Sequence, residues 1–493
     1  MKPFVSKIFP GKELVFPGSK EWVAIGGRDM FPAAAKVLLS TSIYTIGVIG
    51  YGSQGHAHAL NLRDSLKGVD ITVRVGLSVG SASRAKAIAD GFTEENGTLG
   101  ETFDVIRKSD LVILLIPDSE QVRLYKEIFE AMRPGAFLGL AHGFLLGHLE
   151  SVGEYFPDKF SVIGVCPKGV GPSVRWWYEQ GRERNGAGIP CSFTVERDYG
   201  GAGDVALAWA ILIGAPSVSW TTLRQEYRSD LVGERAVLLG GLWALVEETY
   251  RYFVANGMRE EDAFNLAVEG ITGPISDRIS RHGGLLGLYR EVSEKEGGVE
   301  EFARAYIVMY GPAKELIKQI YESVYSGDEI REVVAMANQP MKPIDGSDMW
   351  TVGKRVRENR GRMNWEIDPM VAGFYVAMMM AQVDVFRENG HYWSEVCNES
   401  IIEAIKSLSP LMHAKGVGFM VDSCSPTARL GTRKRGPQFM TVIREEVLPG
   451  FDQSMGMPSS ETHLFQEFLT HPVHSALALC LHLVPQEDLY VGN

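Results

Sequence analysis

Cysteine is scarce in this chain: five among 493 residues, at Cys166, Cys191, Cys397, Cys424 and Cys480. The number is odd, the positions are scattered and no CxxC pair occurs. That excludes a disulfide framework and a thiolate metal centre, and it suits a reducing compartment. Basic charge is also in deficit. Lys and Arg number 49 against 61 Asp and Glu, a net charge of −12, so nucleic acid is not expected as a partner. No uninterrupted apolar run approaches the ~20 residues that cross a bilayer, and no membrane partner is expected. The N-terminal MKPFVSKIFP has no apolar signal core; it reads as a native start or as a trimmed organellar precursor. What remains, 45% hydrophobic and 22% charged residues, is a globular composition long enough for two or three domains.

Glycine is plentiful, and one cluster of it is informative. Residues 45–66 read TIGVIGYGSQGHAHALNLRDSL. An apolar strand runs into Gly50, Gly52, Ser53, Gln54 and Gly55 and then into helix-forming sequence. This is the G-x-G-x-x-G dinucleotide fingerprint in its strand–turn–helix context. Apolar runs at 71–77, 111–116, 137–140, 162–165 and 192–195 alternate with helical stretches such as 83–90, after a polar lead-in over about the first 40 residues. Continuous apolar strands separated by helices predict a Rossmann-like, doubly wound parallel α/β sheet over residues 1–220.

From 221 to 493 strand-like runs nearly vanish and long helical periods take over, at 236–255, 260–268, 302–309, 370–386 and 400–408. This reads as an all-α C-terminal domain. Phe253-Val-Ala-Asn-Gly257 and Phe386-Arg-Glu-Asn-Gly390 each close an apolar helix and precede an acidic one. Their spacing of 133 residues hints at an internal duplication, with halves at 221–360 and 361–493.

The cofactor and the acidic groups come next. Where NAD-specific folds place a carboxylate for the ribose 2′-hydroxyl, this chain has Ser78, then Ser81, Ser83 and Arg84. Hydroxyls and a guanidinium suit a 2′-phosphate, so NADPH is favoured; capping of the next helix is the plainer role of the serines. Gly76-Leu77-Ser78-Val79-Gly80 also fits a hydrolase elbow, but its place after the second strand of a fingerprinted unit makes it a decoy. Glu226, Asp230 and Glu234 recur every four residues, and Glu399 and Glu403 repeat the spacing. Such ladders are either solvated, ion-paired faces or hard-oxygen ligands for a divalent cation. His142 and Lys168 each follow a strand, at the edge where open α/β sheets bind ligands.

Six segments in order, GYGSQGHAHALNLRDS, AHGFLLGHL, CPKGVGPSVR, QEYRSDLVGERAVLL, NESIIEAI and FMVDSCSPTARLG, resemble ketol-acid reductoisomerase (acetohydroxyacid isomeroreductase) across most of residues 45–435. The length resembles the long, plant-type form of that family. The resemblance implies Mg²⁺-dependent alkyl migration of a 2-hydroxy-3-keto acid, 2-acetolactate or 2-aceto-2-hydroxybutyrate, followed by NADPH reduction. It implies two Mg²⁺ ions held by Asp230 and Glu234 with Glu399 and Glu403, with Glu226 behind them. Lys168 and His142 would reach in from the sheet edge, Ser425 would hold the substrate carboxylate, and Glu403 is one candidate base. Ser81 and Ser83 match positions that hold the 2′-phosphate. Ser78 stands where the plant-type pattern has arginine, leaving Arg84 to compensate or NADH to be better tolerated. A homodimer follows from the same likeness, as does the plastid stroma for a plant or algal source, the cytoplasm for a bacterial one. The rival readings are a metal-independent β-hydroxyacid dehydrogenase and a non-catalytic NADPH-binding module.

Overall fold

The computed structural model describes residues 3–183, 187–337, 339–360 and 366–485. The chain forms two compact units. One holds residues 3–227 with 330–334 and 482–485; the other holds 228–329 and 335–481.

The first unit is built on one sheet. Its strands are β1 (Gly11–Phe16), β2 (Ser19–Ile25), β3 (Thr45–Ile49), β4 (Thr72–Leu77), β5 (Leu99–Glu101), β6 (Leu111–Leu114), β7 (Phe137–Leu140), β8 (Ser161–Pro167), β9 (Cys191–Arg197) and β10 (Ser217–Trp220). They lie in the order β1-β2-β10-β9-β8-β7-β6-β3-β4-β5. From β5 to β8 all neighbours are parallel. Read from β3 onward, that is the 3-2-1-4-5-6 order of the Rossmann fold, and the order reverses between β3 and β6. Helices cover both faces, so Val48, Ile49, Ile113 and Leu114 are at most 1% exposed and the strands are apolar throughout.

Two features differ from the sequence reading. The polar lead-in is structured: β1 and β2 form a hairpin, β2 extends the sheet antiparallel to β10, and Phe31–Ser40 is a helix. Half-polar edge strands carry little periodicity to read. Second, β9 runs antiparallel to β8. After β8 the Gly171–Gln180 helix stays beside the fingerprint instead of crossing back over the sheet. The Gln54 side chain donates to Gly169 O at 2.9 Å, and a Cβ on Gly171 would lie 2.1 Å from Ser53 O. The chain therefore re-enters at the edge it left, pairing Cys191 with Pro167.

The second unit is helical. Pro369–Glu388 is long and apolar enough to cross a membrane by length and composition, and it is the buried core helix of this unit. It packs along Gly298–Tyr325, while Gly240–Ala255 packs along Pro426–Val442. Gly373 makes the first crossing close, since a Cβ there would lie 2.5 Å from Phe302 O. Elements recur at a 133-residue offset. Glu260–Phe264 corresponds to Trp393–Cys397, and the π-helical turns Asn265–Glu269 and Ile271–Ile275 correspond to the π-helix Asn398–Leu408. Ser276 and Ser409, equivalent at that offset, hydrogen-bond each other through their hydroxyls at 2.9 Å. Equivalent residues in mutual contact mark a local two-fold relation.

Candidate active site

The fingerprint turn leaves β3 beside the point where the strand order reverses. Gly50 has φ 102°, and its Cβ would lie 2.5 Å from Leu115 O. A Cβ on Gly55 would lie 2.3 Å from Gly50 O, so only glycine lets the Ser53–Ser65 helix sit this close to its strand. A Cβ on Gly52 would meet nothing within 4 Å. The backbone there is open at a helix N-terminus, which is what a pyrophosphate needs. The residues fit a dinucleotide.

The loop after β4 turns through Ser78, Val79, Gly80 and Ser81, with Ser81 N donating to Ser78 O at 3.2 Å. Ser78 is exposed, Ser81 and Ser83 half-buried. The plainer role proposed for the serines finds no support at Ser83, which occupies the N-cap of Arg84–Ala89 without a capping side-chain hydrogen bond. Arg84, expected to face a 2′-phosphate, pairs with Glu94 and lies 3.8 Å from Glu101. Two nearby carboxylates of the same unit compete for it, a pairing that local sequence does not reveal.

At the C-terminal edge of β7 and β8, three predicted residues come together. Glu226, 1% exposed on the Leu223–Arg235 helix, accepts from Gly143 N at 2.7 Å and lies 3.3 Å from His142 Nδ1. Burial alone would raise its pKa. His142, Lys168 and the Gly143 N–H outweigh burial, and the carboxyl is held below its ordinary value. Lys168 is itself buried, with its backbone N–H donating to Pro190 O at 2.9 Å. An ionised carboxylate thus sits beside an imidazole and in the field of an ammonium.

In the helical unit, the Asp230 and Glu234 segment is apposed to the π-helix carrying Glu399 and Glu403. Ser229 donates to Glu395 Oε1 at 2.6 Å, and a Cβ on Gly233 would lie 3.5 Å from Glu399 O. Gln382 bridges the two, donating to Glu399 O at 3.0 Å and accepting from Val237 N at 3.2 Å. Glu399 is fully buried; Asp230, Glu234 and Glu403 are half-buried. Burial first, then Glu234, Glu403 and Asp230 push the Cys424 thiol well above its ordinary pKa, so the fields of these carboxylates add beside Ser425. Ser425 caps the Pro426–Val442 helix, accepting from Ala428 N at 3.0 Å.

The basic neighbours of this ladder take several partners. Arg224 pairs with Glu150, and Arg228 lies 4.3 Å from the centre of the Tyr325 ring. Arg235 is fully buried, 2.9 Å from Glu329 and 3.2 Å from Glu234. The carboxylates on these two helices are of the hard-oxygen type that Mg²⁺ prefers. Sequence reasoning missed Glu395, Gln382 and Glu329, whose partners lie far along the chain. It also missed the π-helical turn, a form concentrated at functional sites.

A Rossmann sheet with an open fingerprint turn, joined to a helical unit of clustered carboxylates, defines a nicotinamide-dependent oxidoreductase. The family model for the acetohydroxy acid isomeroreductase NADPH-binding domain matches residues 42–218, and that for the ketol-acid reductoisomerase C-terminal domain matches 223–362 and 369–453. The chain belongs to the ketol-acid reductoisomerase family. It is 47% identical to the chloroplastic ketol-acid reductoisomerase of Spinacia oleracea, over 99% of this chain and 83% of that protein. The Pisum sativum chloroplastic enzyme gives 47% over 99% and 85%. A solved NADH-preferring ketol-acid reductoisomerase from an uncultured archean superposes with a TM-score of 0.57 at 26% identity, covering 66% of this chain and 97% of that one. The chain is therefore an enzyme with an NAD(P)H-binding domain, acting on a small-molecule substrate of the branched-chain amino acid pathway.

Proposed function

We propose that the reaction runs as alkyl migration of 2-acetolactate or 2-aceto-2-hydroxybutyrate followed by hydride transfer from NADPH, with two Mg²⁺ ions held by Asp230, Glu234, Glu399 and Glu403. The observation that carries this reading is the apposition of two carboxylate-bearing helices around Cys424 and Ser425. Divalent ions, when bound, acidify the tertiary alcohol and polarise the acceptor carbonyl. Glu403 takes the hydroxyl proton. The Ser425 hydroxyl and the N-terminus of its helix hold the substrate carboxylate, where free N–H groups and the helix dipole favour an anion. Glu226 orients His142 and keeps the imidazole and the Lys168 ammonium in place, and Lys168 supplies positive charge as the carbonyl is reduced. Gly50, Gly52, Ser53, Gln54 and Gly55 cradle the pyrophosphate, while Ser81 and Ser83 take the 2′-phosphate with help from Ser78. Arg84, paired with Glu94, contributes little.

The domains are taken as 1–220 and 221–493, and the 133-residue recurrence as an internal duplication that puts two half-sites into one chain. Leu266 and Gly270 stand where the second half has Glu399 and Glu403, so one half alone carries the acidic pair. The likeness to plant enzymes supports a homodimer in the plastid stroma.

The test uses Asp230→Asn. Isomerisation should fall at least a thousandfold, while a supplied 3-hydroxy-3-methyl-2-oxobutanoate is still reduced slowly. Unimpaired isomerisation, or full activity on acetolactate in EDTA, would count decisively against this reading and favour the metal-independent dehydrogenase. Binding of NADPH without any turnover would favour the non-catalytic module.

A further inference from the structure

The helical unit holds a second cleft, of about 430 Å³, that the reaction does not use. It opens between the Gly298–Tyr325, Pro369–Glu388 and His463–Thr470 helices, and its volume is that of a small-molecule site. Tyr306, Phe468 and Met380 form the apolar wall. Tyr306 is 1% exposed, yet no hydrogen bond to its hydroxyl is found among the described residues; its charged and polar neighbours are Tyr310, Asp384 and Glu467. The hydroxyl therefore opens into the cleft, where water or a bound polar group takes it up.

The polar side of the cleft is organised. Tyr310 donates to Asp384, and Lys314 donates to Tyr310 at 3.1 Å. His471 Nε2 lies 3.0 Å from the other Asp384 oxygen. Its Nδ1 accepts from Val473 N at 3.1 Å, so the ring donates to Asp384 while neutral. Lys314 is 2.7 Å from Glu388 and 3.9 Å from Asp384, and Lys318 also reaches Glu388, at 3.2 Å. Glu467, 59% exposed at the rim, acts on the tyrosines through its charge, with His463 Nδ1 3.5 Å from it. Asp384, Glu388 and Glu467 therefore outnumber Lys314 and Lys318 by one.

We infer that this cleft binds a small primary alkylammonium, its charge among Asp384, Glu467 and the Tyr306 hydroxyl and its apolar body against Tyr306, Phe468 and Met380. Three observations select this class. The excess charge is negative, so a carboxylate or phosphate would be repelled. Among the described residues of the cleft, no three acid or histidine ligand atoms lie within 4.8 Å of one another, so a bare divalent ion is poorly matched. Tyr306 and Phe468 lie 4.8 Å apart between ring centres, a wall suited to an apolar chain and to cation–π attraction.

An alkylammonium group is carried by free amines and by amino acids, and three probes sharing one apolar body separate the sources: isoamylamine, L-leucine and isovalerate. The intact chain is titrated with each. Binding is read from the thermal midpoint and from slowed amide exchange over residues 306–314 and 464–472. Isoamylamine should give a saturable rise with protection confined to those segments, and isovalerate none. A response to L-leucine equal to that of isoamylamine assigns the site to amino acids; a weaker one assigns it to free amines. Tyr306→Phe, which keeps the ring, should weaken binding about five- to tenfold, the worth of one hydrogen bond. Glu467→Gln, at the rim, should weaken it about threefold. No saturable shift, binding of isovalerate as tight as isoamylamine, or equal affinities in wild type and Tyr306→Phe would each overturn the inference. So would a midpoint that rises with protein concentration and ignores the amine, which would give the cleft to a second copy of the chain.

Discussion

Replacing Glu329 by glutamine perturbs the most crowded buried charge in the helical unit. Its carboxylate is 1% exposed. It lies 2.9 Å from Arg235 Nε, 2.7 Å from Arg435 and 2.9 Å from Lys434. Burial alone would raise its pKa; Arg235 and then Arg435 outweigh that and hold it far below the ordinary carboxylate value of 4.5. The glutamine keeps the shape but takes from a fully buried guanidinium one of its two carboxylates, Glu234 at 3.2 Å remaining. Breaking a buried pair from one side costs about 3–5 kcal/mol. At roughly 2–4 °C per kcal/mol for a unit of this size, the calorimetric midpoint should fall by about 10 °C at pH 7. A carboxyl whose folded pKa is depressed contributes stability that is complete above its unfolded pKa. That stability is lost as pH falls through the folded value. The gap between wild type and Glu329→Gln should therefore be full at pH 6–7 and narrow only below about pH 4.5. A gap under about 2 °C at pH 7, or one that widens on acidification, would refute the reasoning.

Other expectations concern the nucleotide. Ser81→Ala should raise the KM for NADPH about five- to tenfold and leave that for NADH unchanged, whereas Arg84→Ala should change either by less than about twofold, because Glu94 already pairs with the guanidinium. Steady-state kinetics with both cofactors checks the pair, and equal effects of Ser81→Ala on the two would contradict a phosphate role. Gly55→Ala should reduce NADPH affinity at least tenfold by fluorescence titration, since its Cβ would lie 2.3 Å from Gly50 O. Wild-type affinity in that variant would mean that the turn does not hold the cofactor.

The parallel half of the sheet was legible because its strands are buried on both faces and read as unbroken apolar runs. The antiparallel return of β9 was not, because its direction depends on where the Gly171–Gln180 helix lies and on Gln54 reaching Gly169. The spacing of Glu399 and Glu403 suggested one acidic face, but four-residue spacing looks the same in an α-turn and in the wider π-turn found here. The burial of Arg235 was hidden for a similar reason. Its neighbours in sequence suggested a surface ladder, while its partner Glu329 lies 94 positions away.

The Ser276–Ser409 contact across the local two-fold has a consequence for how such a chain varies. In an assembly of identical halves every substitution is made twice, so a change tolerated on one side must also be tolerated on the other. Joined in one chain, the halves are mutationally independent. Leu266 and Gly270 can drift without touching Glu399 and Glu403, so an acid absent from one of two equivalent positions need not be lost from the other.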